Sequence, residues 1–257
     1  MLYSKSFKKY AKYYDFFYLN KNYLKETKFI SSFFKENKKK LNILDLGMGT
    51  GTHLINFLKK GHFVDGVEIS QKMINIANKK IKKNNIRSNY NFFNQNILNF
   101  RGYKKKYDVT VLLFHVLNYL NNYSALKKIF KNTHSNLKNS GLLIFDCWNS
   151  KILKKEKLQD SKKSISFGKY VLKRNGIIDS QNKNKKIKIV YKFSLYKDDK
   201  LIQRFKETHN ITSFSKKDII RATKGKFKII NNCIWFNKTK KPQTKDFSSF
   251  FVLQKIN

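Results

Sequence analysis

Apolar and polar positions follow two distinct rhythms along this chain, and the places where one gives way to the other mark its elements. Near the N-terminus, Phe7, Tyr10, Ala11, Tyr14 and Tyr18, then Tyr23, Leu24, Phe29, Ile30, Phe33 and Phe34, recur at helical spacing. They predict two helices within residues 4–39 around a polar break at Leu19–Asn22. The run Asn42–Leu46 is too short and too rich in branched apolar residues for a helix, and it predicts a strand buried on both faces. It breaks into Gly47, Gly49 and Gly51, after which Leu54, Ile55, Phe57 and Leu58 mark a helix over 52–60. A second strand is predicted over 63–70, and Ser70 caps a helix over 71–83 with Met73, Ile74, Ile76, Ala77 and Ile81 inward. Strands over 89–93 and 107–114, a helix over 122–137, and a turn at Asn139-Ser140-Gly141 before a strand over 142–148 complete this part. Short buried strands alternating with amphipathic helices are the pattern of a parallel α/β sheet.

From about Lys151 to Ile211 the rhythm becomes strictly alternating, as in Ile187, Ile189, Tyr191, Phe193 and Leu195. This predicts three half-exposed antiparallel strands over 164–173, 185–196 and 200–212. Asp198-Asp199-Lys200 reads as a hairpin turn without its usual glycine, and the lysine-rich stretch from Asp179 to Lys186 as a mobile loop. A helix capped by Ser215 and strands over 227–236 and 247–254 then return the chain to the main sheet.

The chemistry is concentrated where the first strand ends. Glycines at 47, 49 and 51 allow positive φ and let a ligand lie against the backbone, and the following helix presents its N-terminal amides there. Glu68 closes the second strand, 17 residues beyond Gly51, where a carboxylate beside the glycine turn accepts both ribose hydroxyls of a nucleoside. A dinucleotide fold requires G-x-G-x-x-G, whereas the spacing here is G-x-G-x-G preceded by Asp45, which weakens an NAD reading.

The stretch Ile43-Leu44-Asp45-Leu46-Gly47-Met48-Gly49-Thr50-Gly51 resembles motif I of the class I S-adenosylmethionine (SAM) dependent methyltransferases. The resemblance extends over nearly the whole chain. Ala11, Tyr14, Asp15 and Tyr18 match the A-x-x-YD-x-x-Y lid of small-molecule members, and residues 107–120 match YD-x-V-x-x-x-FHVLNYL. Residues 137–148 resemble L-K-P-G-G-L-x-x-F-D-x-W, with Asn139 and Ser140 replacing proline and the first glycine, and Phe205, Glu207 and His209 match F-x-E-x-H. In layout the nearest members are N-methyltransferases of nucleotide-linked amino sugars. The implied fold is a Rossmann-like α/β sheet of seven strands with strand 7 antiparallel, plus a small antiparallel sheet inserted after strand 5. The implied division is a helical lid over 1–40, a SAM-binding domain over 41–150, a β insertion over 151–213 and a closing helix and strands over 214–257.

By the same resemblance, SAM contacts fall on Tyr14, Tyr23, Asp45, Gly47, Gly49, Gly51, Glu68, Ile69, Asn96, Ile97 and Leu113. Asn96 stands where the family has an acid that bonds the adenine amine; an amide oxygen still accepts that bond, without charge. The acceptor is expected outside the carboxyl end of the fourth strand, with His115, Tyr14 and Tyr119 as catalytic candidates. His115 is either the proton acceptor or a residue that orients its loop. Asn118 and Tyr119 are alternatives that only position the substrate, and Trp148 either walls the pocket or fills it. Glu207 and His209 are secondary acceptor-site candidates, with surface hydrogen bonding as the alternative.

Composition changes the picture in one respect. A net charge of +40 suggests a nucleic-acid or anionic partner, but of 56 basic residues only five are arginine. Arginine is the residue for bidentate phosphate and base recognition. With one proline, ten glycines and four alanines besides, the chain has the usage that AT-rich codons impose, so the lysines read as a solvated coat. Cys147 and Cys233 lack metal or disulfide context, and no window approaches a membrane span. The expectation is a soluble cytoplasmic methyltransferase with a small-molecule acceptor and no metal, a homodimer being left open. Methylation of RNA or protein is the first alternative, and a non-catalytic basic nucleic-acid-binding module the second.

Overall fold

In the computed structural model, which describes residues 7, 9–34, 40–102, 106–151, 160–181 and 186–256, strand β1 (Asn42–Leu46) lies at the centre. It pairs in parallel with β2 (Phe63–Glu68) on one side and β4 (Tyr107–Leu112) on the other. Strand β3 (Tyr90–Asn94) extends the sheet beyond β2, and β5 (Leu137–Trp148) extends it beyond β4. The chain therefore winds outward from β1 in one direction, then returns and winds in the other. That reversal leaves a crevice outside the carboxyl ends of β1 and β4. Because β1 is covered on both faces, Ile43 packs with Val64, Val109 and Ile144 in one core, and Leu44 with Leu143 and Phe145 in another.

Helices α3 (Thr52–Lys59) and α4 (Gln71–Lys83) cover the first face, burying Leu54, Phe57, Ile74 and Ile81. Helix α5 (Tyr123–Asn136), with Leu126, Ile129 and Phe130 inward, covers the second. Strand β5 starts directly from α5 at Leu137, five residues earlier than the turn signal implied, and Ser140 is accommodated within it at φ 57°. At the far edge, helix α6 (Lys216–Thr223) is held by a reciprocal capping box between Ser215 and Asp218. Two more strands, named ahead of their place in the chain as β10 (Phe227–Cys233) and β11 (Ser248–Lys255), then close the sheet in the order β10-β11-β5-β4-β1-β2-β3. β11 runs antiparallel to both neighbours, as the seventh strand of the expected fold must.

The inserted sheet has four strands, in the order β6 (Ser161–Phe167), β7 (Tyr170–Gln181), β8 (Lys186–Lys197) and β9 (Lys200–Thr212), all antiparallel. Three were expected. The segment read as one strand over 164–173 is folded back at Gly168, whose φ of +56° permits a tight turn. At the next hairpin, Asp198 and Asp199 adopt φ of 45° and 57° themselves; a short side chain able to bond its own backbone makes aspartate a workable substitute for glycine there. β7 runs on to Gln181, into the stretch read as a mobile loop, and the rest of that loop, 182–185, lies outside the described residues.

The N-terminal segment is a 3₁₀ turn at Tyr10–Tyr13 that runs into α1 (Tyr14–Phe17), followed by α2 (Tyr23–Ser31). The polar break is a cap: Asn22 Oδ1 accepts from Lys25 N at 2.8 Å. Tyr10, Tyr13 and Phe17 pack with Leu172, Phe193 and Leu195, so the segment is the layer between the inserted sheet and the main one. Two carboxylates are among the groups that fasten it. Glu207 accepts from the amides of Phe7, Lys9 and Tyr10 at 2.6, 2.8 and 2.9 Å, and Asp15 accepts from Thr50 Oγ1 at 2.6 Å and Lys80 Nζ at 3.1 Å. Glu207 is thus buried and spent on backbone, neither at the surface nor facing a substrate.

Burial raises the Glu207 pKa, but hydrogen bonding from His209 and the three amides outweighs it and holds the carboxyl below its ordinary value. Glu207→Gln weakens these bonds and should cost about 1–3 kcal/mol in urea unfolding. The difference between wild type and variant should be full above the ordinary glutamate value of about 4.3 and vanish as pH falls through the lowered folded value.

Candidate active site

The crevice is a cavity of about 370 Å³ bounded by the ends of β1, β2 and β4, the N-terminal segment and the inserted sheet. Its floor is the turn after β1. Gly47, Gly49 and Gly51 have φ of +80°, +56° and +74°, a backbone path unfavourable to any side chain. A Cβ at Gly47 would lie 2.7 and 2.8 Å from the Val116 methyls, whereas one at Gly49 would meet open space. Gly47 therefore lets the turn seat against the loop after β4, and Gly49 keeps the floor clear. The amides of Gly47 and Met48 donate to Val67 O, and that of Gly49 to Glu68 Oε2 at 3.1 Å. What the turn offers a ligand is space more than donors.

Glu68 is the acid that adjoins this space. Its Oε1 accepts from Ser70 N at 2.8 Å, so each carboxylate oxygen has one backbone partner and keeps a lone pair. Burial raises its pKa against those amide bonds. Asp45, 3% exposed, is pushed up to about 7 by burial and by the neighbouring Glu68 charge. The two acids make an end of the cavity suited to hydroxyl and cationic groups. Ile69, Ile97 and Leu113 line the same cavity and supply apolar walls, and Asn96 lines it as a polar group. Asn96 Oδ1 already accepts from Leu98 N at 2.9 Å, which leaves it one lone pair for a further donor. A ribose, an apolar base and the positive charges of SAM match this donor and acceptor set, so the residues present fit that cofactor.

The rings of Tyr14 and Tyr23 also line the cavity, with burial holding both hydroxyls protonated. Tyr23 packs on His53 at 4.8 Å between ring centroids, and His53 Nε2 lies 2.7 Å from Glu26 Oε2. β4 stops at Leu112 because Phe114 and His115 both adopt left-handed φ, 63° and 66°. Two consecutive non-glycine residues in that region carry strain of about 1 kcal/mol or more each, the kind of distortion that functional sites retain. The elbow is held by Asp146, on the neighbouring β5: Oδ1 accepts from His115 N at 3.2 Å and Oδ2 lies 3.1 Å from His115 Nδ1. That second contact has ion-pair distance without hydrogen-bond angles, and Nε2 is buried with no partner. Burial lowers the His115 pKa, with Asp146 opposing, so the ring is neutral at pH 7.

Other residues singled out from sequence take supporting places. Asn118 donates to Thr212 O at 2.8 Å and accepts from Trp148 N at 2.9 Å, which ties the loop to both sheets. Tyr119 Oη lies 2.8 Å from His209 Nδ1, and burial keeps the phenol protonated. Trp148 walls the cavity beside His115, together with Phe247. Sequence reasoning named Tyr18 only as part of the lid motif and did not single out Asp146, Arg174, Tyr191 or Phe247 as site residues, all of them at or behind the cavity wall. Asp146 had a usable signal, a carboxylate inside a strand otherwise apolar from Leu142 to Trp148. Arg174 had another, as one of five arginines in a lysine-dominated chain.

A family model described as a methyltransferase domain matches residues 43–141, from β1 to the first part of β5. A provisionally named methyltransferase of Geobacillus sp. (strain WCH70) is 35% identical over 104 residues, a match that spans 40% of this chain and 41% of that protein's length. Among solved structures, a SAM-dependent methyltransferase from Clostridium acetobutylicum ATCC 824 superposes with TM-score 0.78 at 23% identity, covering 96% of this chain and 97% of its own. SAM-bound CalS10, an amino pentose methyltransferase from Micromonospora echinaspora involved in calicheamicin biosynthesis, does so with TM-score 0.75 at 15% identity, covering 97% of each. The structural likenesses establish the fold, and the domain match covers the strand, glycine turn and acid described above. Together they show that residues 43–141 are similar to a methyltransferase domain and that the whole chain has the fold of solved SAM-dependent methyltransferases.

Two measurements probe the cofactor end. Glu68→Gln should raise the SAM dissociation constant about 10- to 100-fold by calorimetry, as the loss of charged acceptors for two hydroxyls implies. Because Asp45 sits near pH 7 when the site is free, a cationic ligand beside it should favour the ionised form. SAM binding at pH 6.5–7 should then release protons, read as a dependence of binding enthalpy on buffer ionisation enthalpy, and Asp45→Asn should abolish it.

Proposed function

We propose that this enzyme transfers the methyl group of SAM to the neutral amine of a small metabolite, an amino sugar or its nucleotide-linked form being the first class to test. The observation that carries this reading is the buried, unpartnered Nε2 of a neutral His115 that lines the cavity. The fold likeness to CalS10, an amino pentose methyltransferase, supports it.

SAM, when bound, supplies a methyl that is already activated for displacement. The chain's own contribution is to hold the nucleophile in line, exclude water and take one proton, and positioning accounts for much of the rate. In this reading Tyr14 and Tyr23 close over the cofactor end, and residues 1–40 act as its lid. Asp146 orients His115, whose Nε2 accepts the proton that the amine sheds on methylation. Tyr119, kept protonated and bonded to His209, serves as a donor that positions the acceptor. An RNA acceptor has the net charge of +40 in its favour, and the shortage of arginine among the basic residues speaks against it.

Incubation with methyl-labelled SAM and parallel panels of amino sugars, sugar nucleotides and RNA separates these readings. Label in the small-molecule fraction supports the proposal, and label confined to RNA overturns it. With an accepted amine in hand, kcat/KM should rise with pH through a value below the ordinary histidine pKa of about 6.5, because burial lowers that of His115. His115→Asn should remove this limb and lower kcat by about 10²- to 10⁴-fold, leaving SAM affinity within about threefold. Full activity in that variant would show that His115 only shapes its loop.

A further inference from the structure

Arg174 is a buried cation with no anion among the described residues. It is 8% exposed, sits on β7 and lines the cavity opposite the glycine turn. Its Nη1 donates to Tyr10 Oη at 2.7 Å and Tyr18 Oη at 3.4 Å, and the guanidinium carbon lies 4.8 Å from the ring centroids of both Phe17 and Tyr191. No carboxylate among the described residues pairs with it, and the nearby buried acid Glu207 is taken up by three amides. Burial and their neighbours keep Tyr10 and Tyr191 protonated, so neither phenol supplies the missing charge. Buried ions are ordinarily paired.

The unused side of the group is informative. Nε is buried without a partner, and Nη2 donates to none of the described residues. These two nitrogens form the side-on fork that grips a carboxylate or phosphate through parallel N–H···O bonds, a geometry lysine lacks. In a chain whose basic residues are lysine at all but five positions, the one lining this cavity from the inserted sheet is arginine. Its location is on the acceptor side. Tyr18, to which it donates, packs on Phe114 at 4.8 Å, next to His115, whereas Glu68 and Asp45 occupy the cofactor end.

We infer that the acceptor carries an oxyanion, carboxylate or phosphate, which docks on the Nε–Nη2 edge of Arg174 while its amine faces His115. The inference rests on reading this part of the cavity as the acceptor site, and it narrows the substrate class to amines that also bear an acidic group.

The test uses the whole chain saturated with S-adenosylhomocysteine, at fixed ionic strength set with chloride. Calorimetric titrations with inorganic phosphate and, separately, with acetate are compared among wild type, Arg174→Gln and Arg174→Lys. The expected result is saturable one-to-one binding of at least one anion to wild type, about 30-fold weaker in the Gln variant and about three- to tenfold weaker in the Lys variant. Which anion binds more tightly identifies the acid. Equal affinity in wild type and variants, or no saturable binding to wild type, overturns the inference. Should Arg174→Gln fail to fold, as judged by its thermal transition, the Lys variant decides by the same criterion. A tenfold loss of S-adenosylhomocysteine affinity in the variants, without anion binding to the loaded wild type, would overturn it differently, by assigning the guanidinium to the cofactor's own carboxylate. If wild type binds no S-adenosylhomocysteine at all, the methyltransferase reading of the cavity fails by itself, and the anion titrations on free protein still report on Arg174.

Discussion

Everything distinctive about this molecule follows from the reversal of winding between β1 and β4. A parallel sheet that winds outward in both directions from its middle cannot close over that middle with its own connections, so a crevice opens at the carboxyl ends of the strands. The main sheet supplies only the floor: the glycine turn, Glu68 and the His115 elbow. The walls and roof have to come from elsewhere. The N-terminal segment and the inserted sheet meet that need, and their aromatic residues are buried against each other because each covers the other's exposed side.

The floor was legible in the sequence because its determinants are local. A short apolar run breaking into three spaced glycines has few backbone solutions, and an acid closing the next strand lands beside it by the geometry of the βαβ unit. The antiparallel seventh strand was an expectation from the family resemblance, since an element's own rhythm gives its type and not its neighbours. Where reading failed, a turn was hidden within a rhythm that does not change. β6 and β7 alternate in the same way on both sides of Gly168, so nothing but that glycine marks two strands. Asp198-Asp199 was readable because two adjacent short acids at a polar tip have a conformational meaning of their own.

The acceptor half was less legible because its determinants are pairwise and distant. Asp146 matters through His115, 31 residues away, and Glu207 through amides some two hundred residues earlier. Neither relation has a spacing rule, and only the assembled sheets bring the partners together. Glu207 also shows how chemical type misleads: a carboxylate near a site suggests acid–base chemistry, but this one is buried and accepts from three backbone amides. The same burial that makes an unpaired group conspicuous in three dimensions, as at Arg174, is invisible in a list of residues.

Two of the bonds that fasten the N-terminal segment differ in kind. Glu207 binds three amides inside a dry interface, where charge-assisted bonds are strong. Asp15 grips Thr50 and Lys80 with its side chain 36% exposed, where ion pairs are screened and weak. Added salt screens the exposed pair and leaves the dry Glu207 bonds untouched, so the two ends of the segment answer unequally to ionic strength.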